Sequence, residues 1–174
     1  MSRHLYPIPD DFEIDISARA KGTGSQYGWG ADKNLLPCKE VWRPVERYFV
    51  HHMGRFPKYE EIKIMPGYYL ISSDGRLWSR VHNRFICSGH GESRRETKLI
   101  CADGSTRHVK ILRLVLDNFL EPPEAAKTWI RFYFEGANHI NAKRWDDALV
   151  NGEYTNNALN RQHYNEVGKI NRFK

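Results

Sequence analysis

Pro66-Gly67-Tyr68-Tyr69-Leu70-Ile71-Ser72-Ser73-Asp74-Gly75-Arg76-Leu77-Trp78-Ser79 reads as a β-hairpin. Pro66-Gly67 is a turn, and Tyr68 to Ile71 is a run of strand-forming residues. Ser72-Ser73-Asp74-Gly75 follows as a tight turn, and Asp-Gly between two apolar runs is the strongest short hairpin signal. Arg76-Leu77-Trp78-Ser79-Arg80-Val81 is the return strand. Side chains alternate across a strand, so Arg76, Trp78 and Arg80 share one side while Leu77 and Val81 share the other. One face of the hairpin is therefore basic and aromatic.

Downstream, residues 82–110 continue as a β-rich segment in which Arg84, Arg94, Arg95 and Lys98 outnumber Glu92 and Glu96. Leu99-Ile100-Cys101 reads as the apolar centre of a strand. Ala102-Asp103-Gly104-Ser105 is a second Asp-Gly turn, and Thr106-Arg107-His108-Val109-Lys110 returns from it. Two readings of this segment stand side by side. It is an ordinary antiparallel sheet with a solvated basic face, or a sheet whose basic face tracks phosphates. Residues 111–120 (ILRLVLDNFL) read as a short buried helix stopped by Pro122-Pro123.

Upstream, Phe12, Ile14 and Ile16 alternate with polar neighbours, as in a short strand. Residues 20–30 form a glycine-rich loop without the GxxxxGK[ST] of a phosphate-binding loop. Trp29 in that loop is expected to anchor it to the body. Over 39–53, Val41, Val45, Tyr48 and Phe49 fall three or four apart and predict a helix starting near Arg43, with Pro44 in its first turn and Gly54 as its stop. His51-His52 would then sit as favourable charge at the helix C-terminus. Adjacent residues point about 100° apart on a helix, so the two would not share an ion.

At the other end, Trp129 to Phe134 is aromatic and β-prone and leads into Ala137-Asn138-His139-Ile140-Asn141. A helix is predicted from Ala158 to about Val167, and the residues after it form a basic tail. Histidine is the side chain suited to take a proton near neutral pH, and asparagine can orient it or offer an oxygen to a cation.

The 174 residues suffice for one domain, or one domain with an appendage, and 40% hydrophobic and 13% aromatic content excludes a disordered chain. The net charge of +6 is compatible with a nucleic acid partner. Cys38, Cys87 and Cys101 are too few and too scattered for a disulfide framework or a four-cysteine zinc site. Cys87 and His90 offer two ligands, which do not make a site. No run is long and apolar enough to span a membrane, and a reducing cytoplasm is expected.

The hairpin at 66–79, the helix with Arg113-Leu114-Val115, Phe119 and Pro122, and the His139 stretch with its downstream asparagines occur in an order that resembles the phage-type HNH homing endonucleases. The resemblance covers about residues 60–170. It implies an α+β fold of small antiparallel hairpins and short helices, ending in a ββα-metal unit. It divides the chain into an N-terminal extension (1–59), a basic β-hairpin region that binds DNA (60–122) and an HNH-like unit with a basic tail (123–174). The partner it implies is double-stranded DNA, contacted by Arg76, Trp78, Arg80, Arg84, Arg94, Arg95, Lys98, Arg107 and Lys110. The cofactor is Mg²⁺ or Mn²⁺, and the location is the host cytoplasm if the protein is phage-encoded. Carried over residue by residue, His139 is the general base and Asn156 or Asn157 orients it. Asn138 and Asn165 are the metal ligands, with His163 the other candidate on the helix.

Three departures from the family pattern stand out. Leu112 replaces a histidine. Asn138 stands where an aspartate is often found, and hard cations prefer carboxylates. Seventeen positions separate His139 from Asn156, and Asp146 or Asp147 in that loop is a candidate source of the missing charge. The alternative expectation is a degenerate HNH fold kept as a structural or interaction component of a phage particle or nucleoprotein complex.

Overall fold

The structure, a computed structural model, describes residues 3–26, 28–52, 58–87, 95–121, 136–141, 143 and 146–170. Its strands in chain order are β1 (Ala20–Lys21), β2 (Thr23–Gly24), β3 (Trp29–Gly30), β4 (Trp42–Pro44), β5 (Arg47–His52), β6 (Lys58–Lys63) and β7 (Tyr69–Ser72). They continue with β8 (Leu77–Ser79), β9 (Arg84–Cys87), β10 (Glu96–Ile100), β11 (Thr106–Lys110), β12 (Leu120–Glu121), β13 (Gly136–His139) and β14 (Gly152–Thr155). Helix α1 (Ile111–Phe119) lies between β11 and β12, and α2 (Asn157–Ile170) follows β14. The fold is α+β, built from small, mostly antiparallel sheets around α1. Neither helix is long and apolar enough to cross a membrane.

Both Asp-Gly turns form where the sequence places them. Gly75 and Gly104 hold φ of +78° and +83°, a region that side chains bearing a Cβ rarely adopt. The first turn joins β7 to β8 in register Ile71↔Leu77 and Leu70↔Trp78. The second joins β10 to β11 with Lys98 opposite His108. β9 completes the first sheet, in the order β4-β7-β8-β9. Residues 12–17 run extended along β4, with a bridge at Ile14↔Trp42.

The helix expected over 39–53 is instead two strands. β4 pairs with β7, and β5 pairs with β6 in register from Arg47↔Lys63 to His52↔Lys58. Val41, Val45, Tyr48 and Phe49 are all buried, as the helical spacing required, but on extended chain. Pro44 fits because β4 is an edge strand, where a missing N–H costs no ladder bond. His51 and His52 therefore end a strand and lie at no helix C-terminus.

The three segments of the chain share sheets and one core. β3, from the first 59 residues, pairs with β14, and β1 runs parallel to β12. Trp29 packs against the core, the anchoring role expected of it. Every residue of α1 is buried, so its polar groups must find partners inside. Asp117 accepts hydrogen bonds from Phe49 N (2.8 Å), Tyr154 Oη (2.9 Å) and Arg113 Nε (3.0 Å). Asn118 accepts from Glu46 N and donates to Arg47 O. These bonds fix β5 and β14 to one helix. Leu112 is buried against Gly152, where an added Cβ would meet its Cδ1 at 2.7 Å. Residues 122–135, which include the β-prone run at 129–134, lie outside the described residues.

Candidate active site

β13, β14 and α2 form a ββα unit. β13 and β14 pair antiparallel, with Asn138 opposite Glu153 and His139 opposite Gly152. His139 ends its strand with its side chain 17% exposed. Its Nε2 lies 2.8 Å from Oδ1 of Asp147, which is 3% exposed. The other oxygen of Asp147 is 2.6 Å from the Arg95 guanidinium, itself buried.

The 72–75 turn places Asp147 there. Leu149 N donates to Ser73 O at 2.7 Å, and a Cβ on Gly75 would meet Asp147 Cβ at 2.8 Å. The turn glycine thus serves twice, taking the positive φ and leaving room for the 147 backbone. Asn151 braces the same loop from within. Its Oδ1 accepts from Asn141 N (2.7 Å), its Nδ2 donates to Asp146 O (2.7 Å), and its carbonyl accepts from Ile140 N (2.8 Å).

Asn138 is 3% exposed and its Nδ2 donates to Glu153 Oε1 at 2.7 Å. Glu153 Oε2 in turn accepts from Ser25 Oγ at 2.5 Å, and Gly28 N donates to that same hydroxyl at 3.0 Å. From α2, His163 is buried and its Nε2–H donates to Ile140 O at 3.0 Å.

The asparagines expected at the site divide. Asn156 is the N-cap of α2, its Oδ1 accepting from Leu159 N at 2.8 Å, so this oxygen caps the helix and does not orient His139. Orientation comes from Asp147, with Asn151 holding the loop. The side chain of Asn157 lies outside the described residues. Asn165 is exposed and sits two positions beyond His163, about 200° around the helix. The face of α2 turned toward Ile140 carries His163 and, one turn earlier, Asn160. Of the two loop aspartates named from sequence, Asp147 reaches His139, while Asp146 accepts from Asn141 Nδ2. Sequence reading passed over Asn151 and Glu153. Their one visible signal was their place after the histidine, Asn151 in the turn that leads into β14 and Glu153 within that strand.

The basic candidates divide as well. Arg76 forms a bidentate pair with Glu40 and lies 5.2 Å over the rings of Trp42 and Phe85, so its guanidinium is engaged within the fold. Trp78 meets Phe12 and Phe85 edge to face. Arg80 donates to Tyr6 O and Gly67 O. Arg95 holds Asp147. These four side chains are thus engaged within the fold. Lys98, Arg107 and Lys110 are exposed on the β10–β11 ribbon, and Arg84 is exposed on β9. Lys98, His108 and Lys110 share the outer face of the ribbon, opposite Leu99 and Val109. Arg94 lies outside the described residues.

Among the described residues no three His, Cys, Asp or Glu side chains gather as a metal cluster. The Asp147 carboxylate contacts His139 directly, and the neighbouring Asn138 offers an amide oxygen, its Nδ2 being bonded to the Glu153 carboxylate. Hard oxygen donors of this kind suit Mg²⁺ or Mn²⁺ better than zinc.

No protein family matches the chain, and no curated protein is similar to it. It is similar to a solved structure described as "DNA binding and cleavage by the HNH homing endonuclease I-HmuI", with 16% identity and a TM-score of 0.45. The similarity covers 63% of this chain and 61% of that one, less than two thirds of its length.

Proposed function

We propose that the protein is a DNA-binding endonuclease of the HNH type, hydrolysing phosphodiesters at His139 with one divalent ion. The observation that carries this reading is the 2.8 Å contact between His139 Nε2 and Asp147 Oδ1. A carboxylate only accepts hydrogen bonds, so Nε2 carries the proton and Nδ1 keeps its lone pair. Nδ1 is then the atom that takes a proton from the attacking water, and Asp147 stabilises the imidazolium that results. Asn138 on β13 and Asn160 on α2 would hold Mg²⁺ or Mn²⁺. A divalent ion held there would supply positive charge against that developing on the phosphate and the leaving 3′ oxygen. Double-stranded DNA contacts Lys98 and Lys110 on the outer face of the β10–β11 ribbon, with Arg84 on β9, and their charges meet phosphates; Arg107 pairs opposite Leu99 on the other face.

A second reading is a catalytically degenerate fold acting as a structural or interaction component. It is favoured by one observation: Asn138 is buried and puts no carboxylate on β13. Nicking of supercoiled DNA with and without Mn²⁺ separates the two. Mn²⁺-dependent nicking that His139→Ala abolishes, with DNA binding kept, is the expected result. Nicking that survives His139→Ala removes His139 as the base, and no nicking by the parent protein favours the degenerate reading.

A further inference from the structure

Asn138 stands directly opposite Glu153 in the β13–β14 register, and both side chains are buried. A carboxylate cannot donate, so the amide must turn its Nδ2 toward Glu153, and its Oδ1 is held on the other side. The orientation of an asparagine amide, often ambiguous, is fixed here by its partner. Glu153 is itself held from behind by Ser25 Oγ. The N-terminal segment is shaped to bring that hydroxyl in. A Cβ on Gly28 would meet Tyr154 O at 2.0 Å and Glu153 Cδ at 3.1 Å. This segment therefore belongs to the site, although the family resemblance says nothing about it.

We infer that Glu153 is a positioning residue, and that the charge absent from residue 138 has moved across the strand pair to residue 153, which turns the Asn138 oxygen toward the ion. This rests on the endonuclease reading for the ion, while the exchange itself is a property of the fold. The departure at 138 is then half of a swap. An aspartate at 138 would face the Glu153 carboxylate with no donor between them, and a buried pair of acceptors is costly. A glutamine at 153 can present either its oxygen or its nitrogen to Asn138, so the amide loses its single orientation.

The test is a double-mutant cycle read by thermal unfolding without metal. Asn138→Asp is expected to lower Tm by about 10 °C. Asn138→Asp with Glu153→Gln restores an acceptor–donor pair and is expected to recover most of that loss. If Asn138→Asp yields no folded protein, the double variant must restore soluble, cooperatively unfolding protein. An Asn138→Asp variant as stable as the parent, or a double variant no better than the sum of the singles, overturns the inference. In a parent that binds Mn²⁺, Glu153→Gln and Ser25→Ala are expected to weaken Mn²⁺ binding, measured by calorimetry, with Glu153→Gln losing about tenfold or more. Unchanged Mn²⁺ affinity in Glu153→Gln overturns the positioning role. A parent that neither binds Mn²⁺ nor nicks DNA, with the stability pattern intact, goes against the endonuclease reading and leaves the exchange standing.

Discussion

His139 takes its orientation from a residue eight positions along, and that residue is ion-paired with Arg95. Such a relay makes separable predictions. Asp147→Ala should lower the nicking rate by roughly 100-fold or more while DNA affinity holds, because it removes orientation and imidazolium stabilisation but no phosphate contact. Single-turnover nicking beside a gel-shift titration reads the two effects. Equal loss in both would mean that Asp147 serves the fold alone. Arg95→Met leaves the Asp147 carboxylate buried without its cation and should cost about 3 kcal/mol in urea unfolding. Arg95 was a phosphate candidate in the sequence because arginines there run together. Its burial follows from Asp147, whose position no local pattern encodes.

At the scale of elements, the β10–β11 ribbon is the part expected to meet DNA. Its inner face is apolar through Leu99 and Val109, and its outer face carries Lys98, His108 and Lys110. Replacing Lys98 and Lys110 by alanine should weaken binding to all sequences alike and reduce the slope of log K against log salt by about 2. A fluorescence anisotropy titration over several salt concentrations checks this. A binding curve that the double replacement leaves unchanged would place the contact elsewhere. α1 has a different task, since Asp117 gathers bonds from β5, from Tyr154 and from Arg113 of its own helix. Asp117→Ala strips all three donors of their acceptor and should destabilise by roughly 3–5 kcal/mol. The same helix was legible in sequence because its apolar residues are local and dense. Its bond to β5 was not, because β5 itself read as helix.

Across the whole molecule, two surface-facing acids tie the N-terminal segments down. Burial acts to raise Asp15, but hydrogen bonds from Ser17 and Arg43 outweigh it and hold the carboxyl below its ordinary value. Burial likewise acts to raise Glu40, and the hydrogen bonds from Arg76 and Ser72 leave it lowered. Both folded pKa values lie below the unfolded ones. The stability they contribute is present above the ordinary values of 3.8 and 4.5, and is lost as pH falls through the folded values. Tm should thus be flat in this contribution above those values and fall below them, and the fall should be shallower in Asp15→Asn with Glu40→Gln. An acid limb unchanged by the pair of substitutions would assign it to other groups.

What the sequence determined by itself was local. The Asp-Gly turns, the buried helix at 111–119 and the helix after Asn156 all follow from contacts a few residues apart, where backbone preference and side-chain periodicity act directly. The tertiary structure decided the rest. Val41, Val45, Tyr48 and Phe49 are buried on either a helix or two strands, and only pairing with β6 and β7 selects the strands. Asn138 gains the Glu153 carboxylate only through the β13–β14 register, and His139 gains Asp147 only because Gly75 leaves room for it. Hydrogen bonds between distant residues depend on register and docking, and a one-residue slip in a strand turns every side chain to the other face.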